Sequence, residues 1–556
     1  MKHLLKSFKM KLPFIIAGKY LTLLLILLFC LLPALNAQAA PKFLIFHLDA
    51  VSSQNFFQYM EDGDLPNVKA FFEDGHMIRY GLSLYPGGTE MAVPHLKEGT
   101  NNSTGGAGWS YYDRDKEKVI PSYKVFLNLF SCIPRRAKAC FIYGTPGLDP
   151  FAFLPFQNIP ELLETYGMIQ FFWFTTDSLG HLFGPGLYEA SIRRFDHYFG
   201  QLIKRLDLEE LNIIIYCDHG MSFGRDINVH QVDEIERIAG DNLKAFLRPH
   251  VYLNNPNKKK EIAQDIVLKS EIDFAFYRES PYRVVGYSDQ GKMIFEEKEG
   301  KILYLFEGED VLGYYRSGYH GEWLTDLEWL SKTRESKFPG VPPNIYHLMS
   351  NEKAGDIVIV INPPKIPINF PYPANHAGLT NTDLMMPILL KGPQLEHLYD
   401  REEMWLHNLY TSIPELSFED NEPAREKNSF SLCRNGDGGH NLGFKISLSP
   451  AYRWKYNFDY TKDNFRSFLE YDIYSSYFMR LWMGAGIKYQ EEQTEPFVQP
   501  RLQLDYGKIQ FNCAWQYDRE GWQENTKELV YQINEHLALE WFIPNGLGLS
   551  ISWYGF

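Results

Sequence analysis

The stretch Leu211-Asn212-Ile213-Ile214-Ile215-Tyr216-Cys217-Asp218-His219-Gly220-Met221 decides the fold. Its first seven residues form a nearly unbroken apolar run rich in β-branched isoleucine, the pattern of a strand buried on both faces. The Asp-His-Gly that follows ends the strand with groups that carry chemistry. Working outward, Phe43-Leu44-Ile45-Phe46-His47-Leu48, Ile169-Gln170-Phe171-Phe172-Trp173-Phe174 and Ile357-Val358-Ile359-Val360-Ile361 read the same way. Helical stretches lie between them, such as Ser191 to Leu206, where apolar residues recur at three- and four-residue steps. From Phe43 to about residue 415 this alternation predicts an α/β fold with a mostly parallel sheet. Ligand chemistry is then expected at the C-terminal ends of the strands.

Those ends carry seven candidate metal ligands. Asp49 follows the first strand, and Thr89 sits in Tyr85-Pro86-Gly87-Gly88-Thr89-Glu90, a turn feeding a helix. Asp177 and His181 share Thr176-Asp177-Ser178-Leu179-Gly180-His181, Asp218 and His219 end the opening stretch, and His376 stands in Asn375-His376-Ala377-Gly378. Mixed carboxylate and imidazole donors suit zinc or a similar divalent ion. Two such ions can clamp the attacking and leaving oxygens of an in-line phosphoryl displacement. A hydroxyl beside them loses its proton more easily, which makes Thr89 a candidate nucleophile without a histidine base. Taken singly, each residue is more commonly a helix cap or a satisfied polar group. The order in which they occur together is the specific feature.

In that order the chain resembles the alkaline phosphatase superfamily, and most closely its type I phosphodiesterase and nucleotide pyrophosphatase branch. The resemblance covers about residues 41–395 and implies a three-layer α/β/α catalytic domain at residues 40–415. It implies one zinc held by Asp49, Thr89, Asp218 and His219 and a second held by Asp177, His181 and His376. Residues from about 245 to 350 would form an inserted cap, with Leu312-Gly313-Tyr314-Tyr315 and Trp323 as candidate leaving-group contacts or, for aromatics in such number, as core. The chain departs from the family where a phosphate-contacting Asn is expected after the nucleophile helix. There it reads Asn101-Asn102-Ser103-Thr104-Gly105-Gly106-Ala107-Gly108-Trp109-Ser110, so Asn101, Asn102 and Ser110 are the candidate substrate contacts.

From about Asn441 the period changes to two. Ile509, Phe511, Cys513, Trp515 and Tyr517 alternate with Lys508, Gln510, Asn512, Ala514 and Gln516, and 26 of the last 116 residues are aromatic. About eight strands are expected, including one long strand at 528–541. An eight-stranded outer-membrane barrel fits this pattern, as does a soluble antiparallel barrel with one face buried. Residues 416–440, with Asn421-Glu422-Pro423 and Arg434-Asn435-Gly436-Asp437-Gly438-Gly439, read as a linker.

The N-terminus carries five lysines before an apolar run from Tyr20 to Leu35 and Asn36-Ala37-Gln38-Ala39. That is the form of a secretory signal, with cleavage after Ala39. The 556 residues are 45% hydrophobic and 22% charged, which excludes a wholly disordered chain. The 55 basic against 69 acidic residues form no basic face, which excludes a nucleic-acid polymer as partner. Six cysteines without a C-x-x-C pair exclude a disulfide-framed scaffold.

The function expected is an exported two-zinc phosphoesterase acting on a small diester or pyrophosphate. Thr89 would attack phosphorus and water would release the phosphothreonine. A monoesterase or a phosphoryl-group transferase of the same superfamily is the close alternative. An outer-membrane binding protein with a degenerate catalytic fold is the non-enzymatic one.

Overall fold

The computed structural model describes residues 41–556, apart from 105–108, 122–138, 144–151, 166, 225–226, 368–373, 377, 417–427, 436–440, the residues at most barrel turns, and 554–556. The expected signal segment, Cys132, Ala377 and the terminal Phe556 lie outside the described residues.

A seven-stranded central sheet organises the α/β unit. Its strands run in the order Glu403–Trp405, His76–Leu82, Met385–Lys391, Leu211–Cys217, Lys42–Leu48, Met168–Trp173, Ala139–Tyr143. Lys42–Leu48, Met168–Trp173 and Ala139–Tyr143 pair in parallel, and Met385–Lys391 runs antiparallel to both its neighbours. Two-sided burial explains the continuous apolar runs. Leu44, Phe46 and Leu48 enter a core with Phe171, Trp173, Phe195 and Phe199, while Phe43 and Ile45 enter a second core with Ile214, Tyr216, Ile388 and Leu96. Helices Ser53–Glu61, Phe153–Thr165 and Pro185–Ile203 contribute to the first core, and Thr89–Glu98 to the second. This is the three-layer α/β/α arrangement expected. The helix expected at Ser191–Leu206 begins earlier, at Pro185, and ends at Ile203.

One strand changes place. Ile357–Val360 does not join the central sheet; it lies inside a second seven-stranded sheet, paired antiparallel with His250–Leu253 and Phe274–Ser280. That sheet is also buried on both sides, so its strand has the same apolar run as a parallel core strand. The inserted sheet therefore reaches from Leu243 to Val360. Of the cap candidates Leu312 and Tyr314 are core, Tyr314 lying against Trp329 with ring centroids 5.6 Å apart, while Tyr315, packed on Phe306 at 5.0 Å, and Trp323 are half-buried.

The C-terminal unit is a closed antiparallel barrel of ten strands, not eight. Two departures account for the difference. Asn428–Asn435, inside the stretch read as a linker, is the closing strand and pairs with both Asn441–Ala451 and Gly546–Trp553. The long strand expected at 528–541 is two, Gly521–Gln532 and Leu537–Ile543, separated where Asn534-Glu535-His536 interrupt the apolar series. The barrel is inverted relative to a soluble one. Leu432, Tyr456, Tyr471, Leu481, Trp541, Leu549 and Ile551 are exposed, whereas Asn457, Glu470, Asp472, Gln503, Asp518 and Glu540 are buried inside. Charged side chains fill that interior: Arg501 grips Glu470 through Nε at 2.9 Å and Nη2 at 2.8 Å, and Lys488 Nζ lies 2.8 Å from Asp518.

Candidate metal centre

Three adjacent strands deliver three carboxylates to one point. Asp218 follows Leu211–Cys217, Asp49 follows Lys42–Leu48, and Asp177 lies in the first turn of helix Thr175–Phe183, which starts just beyond Met168–Trp173. On that helix Asp177 and His181 are four residues apart and share a face, with Asp177 Oδ1 3.3 Å from His181 Nε2. The chain turns sharply after Asp49. Ala50 has φ +59°, a left-handed conformation that costs a residue with a Cβ about 1 kcal/mol. Tyr188 holds it there by donating its hydroxyl to Ala50 O at 2.9 Å.

Thr89 is the first residue of helix Thr89–Glu98, preceded by extended Gly88. Its Oγ1 lies 3.3 Å from Asp49 Oδ2 and 3.4 Å from His219 Nε2. Glycine is required in this turn for close approach, since a Cβ on Gly87 would stand 2.5 Å from His376 O. The turn is fastened by Asn344, which accepts from Tyr85 N at 2.8 Å and donates to Ser83 O at 3.1 Å.

Five of the seven expected residues form two overlapping groups. Asp49, Asp218 and His219 form one, and Asp177, His219 and His376 the other, each with ligand atoms within 4.8 Å of one another. His219 stacks on His376 with centroids 4.0 Å apart, so its imidazole lies within reach of both groups. His181 joins the second through Asp177.

The hydrogen bonds show what the cluster is built for. Nδ1 of His181, His219 and His376 faces the carbonyl oxygens of Ala374, Gly220 and Gly87 at 3.1, 3.0 and 2.6 Å. A ring nitrogen against a carbonyl carries the proton, so in the neutral ring Nε2 is a bare acceptor. Those Nε2 atoms face carboxylate oxygens: His219 against Asp49 at 3.2 Å, His376 against Asp177 at 3.6 Å. Acceptor against acceptor is unfavourable unless a cation sits between them. Asp177 Oδ1 and Asp218 Oδ2 are moreover buried without a donor, an arrangement that costs a folded chain about 1–3 kcal/mol per group if nothing compensates. The donor set therefore fits divalent metal ions.

Titration behaviour is that of a cluster short of positive charge: burial opposes a charge on the His219 ring, but Asp218, Asp49 and Asp177 raise it well above its ordinary value. Burial, together with Asp218 and Asp177, raises the Asp49 carboxyl well above its ordinary value. Burial opposes ionisation of Asp218 too, but His219 and His47 beside it hold its carboxyl low. Burial lowers His376 to about 3, leaving its ring neutral and its lone pair available.

The candidate substrate contacts fare differently. Asn102 is fully buried and donates to Tyr85 O at 2.6 Å, which makes it another fastener of the Thr89 turn. Asn101 accepts from Ser103 N and Ser103 Oγ within its own loop. Ser110 is half-buried at the start of Tyr111–Asp113. Sequence reasoning missed His47, Ser83, Asn344 and Asp383. Ser83 Oγ donates to Asp218 O at 2.6 Å. Asp383 accepts from Gly378 N at 2.7 Å and from Ser222 Oγ, joining the His219 and His376 loops. These are isolated polar residues distant in the chain from what they hold, and no spacing marks them.

The donor set, with the family match that follows, supports a metal-dependent phosphoesterase. Residues 148–364 match the model of the type I phosphodiesterase / nucleotide pyrophosphatase family, a match that supports a hydrolase of phosphoric esters. The matched stretch holds Asp177, His181, Asp218 and His219; Asp49, Thr89 and His376 lie outside it. No curated protein matches the chain. Among solved structures it is similar to murine ectonucleotide pyrophosphatase / phosphodiesterase 5, at 15% identity over 69% of this chain and 96% of that one, with a TM-score of 0.44. It is also similar to the alkaline phosphatase PafA, at 10% identity over 70% and 99%, with a TM-score of 0.44.

Proposed function

We propose that the protein is an exported two-zinc phosphodiesterase or pyrophosphatase with Thr89 as nucleophile, held in an outer membrane by its barrel. The observation that carries the catalytic part is Thr89 Oγ1, which lies 3.3 Å from Asp49 and 3.4 Å from His219, beside bare histidine nitrogens that face carboxylates. Asp49, Asp218, His219 and Thr89 would hold one ion, and Asp177, His181 and His376 the other. Divalent ions in these positions supply positive charge that favours the Thr89 alkoxide and offsets charge on the phosphoryl oxygens. Thr89 Oγ1 attacks phosphorus, the alcohol or phosphate leaves, and water then releases the phosphothreonine. A small diester or pyrophosphate is favoured by the family match over residues 148–364.

The membrane part rests on the inverted barrel, whose apolar exterior and charged interior suit lipid outside and no bulk water inside. Export rests on the Lys-rich start and the Ala37-Gln38-Ala39 ending. Among the described residues no helix is long and apolar enough to cross a membrane.

The catalytic reading is tested with the full chain on bis-p-nitrophenyl phosphate and p-nitrophenyl phosphate, before and after chelation and zinc return. Zinc-restored preference for the diester supports it; preference for the monoester moves the protein to the phosphatase side. Extraction from membranes only by detergent, with heat-modifiable migration, supports the anchor. Release by salt or alkaline wash rejects it.

A further inference from the structure

We infer that His47 is a positioning residue that makes Asp218 a one-oxygen metal ligand. The inference rests on the two-metal reading above. His47 sits on the first strand two residues before Asp49, between Phe46 and Leu48, and is 1% exposed. Its ring stacks between Phe172, with centroids 4.2 Å apart, and Tyr216, at 4.8 Å. Burying an imidazole in such a slot is unfavourable unless its nitrogens are engaged, and an apolar residue would fill the space between two aromatic rings more cheaply.

What the slot provides is direction. It aims His47 Nε2 at Asp218 Oδ1, 3.2 Å away. The same oxygen lies 3.0 Å from His219 N and 3.4 Å from Ala50 N. Two backbone N–H groups thus donate to Oδ1 and His47 Nε2 stands against it as an ion-pair contact, while Oδ2 is buried with no hydrogen-bond donor among the described residues and stands 3.5 Å from His219 Nε2. The two oxygens are sorted, one fixed to the protein and one presented to the cluster. The two backbone amides belong to the local turns and are present whatever residue 47 is. His47 is the one side chain among the three, and its ring nitrogen, 3.2 Å from Oδ1, holds the carboxylate from rotating to offer both oxygens. Outer residues that orient a ligand in this way change metal affinity by on the order of 10–100-fold.

The test uses the full chain loaded with cobalt(II), whose visible absorption reports coordination number, together with chelator competition for affinity. His47→Phe keeps a ring between Phe172 and Tyr216 but removes the donor. His47→Gln places an amide N–H at nearly the same reach, and His47→Asn stops short of Asp218. His47→Phe and His47→Asn should bind cobalt on the order of 10–100-fold more weakly, with a weaker visible band as Asp218 adds its second oxygen. His47→Gln should recover most of both. If His47→Phe does not fold, the Gln and Asn pair makes the same comparison. Equal spectra and affinities across wild type, Gln and Asn overturn the inference while leaving the two-metal reading intact. Failure of the wild type to bind cobalt overturns both.

Discussion

Lys445 and Glu528 meet at 3.1 Å although they stand on the second and eighth strands of the ten-stranded barrel. The bond crosses the interior, and Asn512 Nδ2 supports it by donating to Glu528 at 2.8 Å. Removing one partner of such an enclosed pair leaves a charge without compensation, which costs about 3–5 kcal/mol. Lys445→Met should therefore lower the barrel's unfolding midpoint sharply, and adding Glu528→Gln should restore most of the loss. Equal midpoints for the single variant and the wild type would show that the pair contributes nothing.

In the proposed mechanism Thr89 stands apart from the other six residues, because the chemistry would need its oxygen more than the metals do. Thr89→Ala should retain both metals, measured by elemental analysis, while turnover falls by on the order of 10³-fold or more. Thr89→Ser should keep substantial turnover and yield a trapped phosphoserine on acid quench. Near-wild-type turnover by Thr89→Ala removes the covalent mechanism.

Asp383 gives a pH signature in stability. Burial raises its carboxyl from 3.8 to about 6, against the opposing hydrogen bonds from Ser222 and Gly378. Between those values the folded chain holds a proton that the unfolded chain has released. The stabilisation from this proton is complete below about pH 4 and is lost as pH rises through 6. The wild type should gain more in melting temperature than Asp383→Asn when pH is lowered from 7 to 5. Identical gains would show that Asp383 does not titrate in this range.

Gly220 follows His219 directly, and a Cβ there would lie 1.9 Å from Thr382 O. Gly220 N also donates to Asp383 O at 2.9 Å. Gly220→Ala must push these loops apart, at a cost of about 1–3 kcal/mol, and should weaken zinc binding as His219 shifts. Unchanged zinc affinity would mean that the loop yields without moving the ligand.

Local signals carried much of this protein. The run Leu211–Cys217 shows a buried strand because both faces of the sheet are covered, and Asp218-His219-Gly220 marks its functional end. Asp177 and His181 show their shared face through helical spacing. Tertiary context overrode the same signals elsewhere. Ile357–Val360 has the apolar run of a central strand but pairs within the inserted sheet, since two-sided burial in either sheet selects the same residues. The ring-closing strand Asn428–Asn435 was hidden because its partners, Asn441–Ala451 and Gly546–Trp553, lie at opposite ends of the barrel sequence.

By itself the sequence determined the α/β order, the period-two C-terminal unit and the identity of the cluster, because periodicity and ligand chemistry are written residue by residue. Tertiary structure alone decided the number of barrel strands and which of their faces is apolar to the outside, since alternation reads the same in both directions. It alone placed His219 against both groups of ligands and set His47, Asn344 and Asp383 around them. Those residues act through contacts between chain segments up to 261 positions apart, and such closeness exists only after the sheet has assembled.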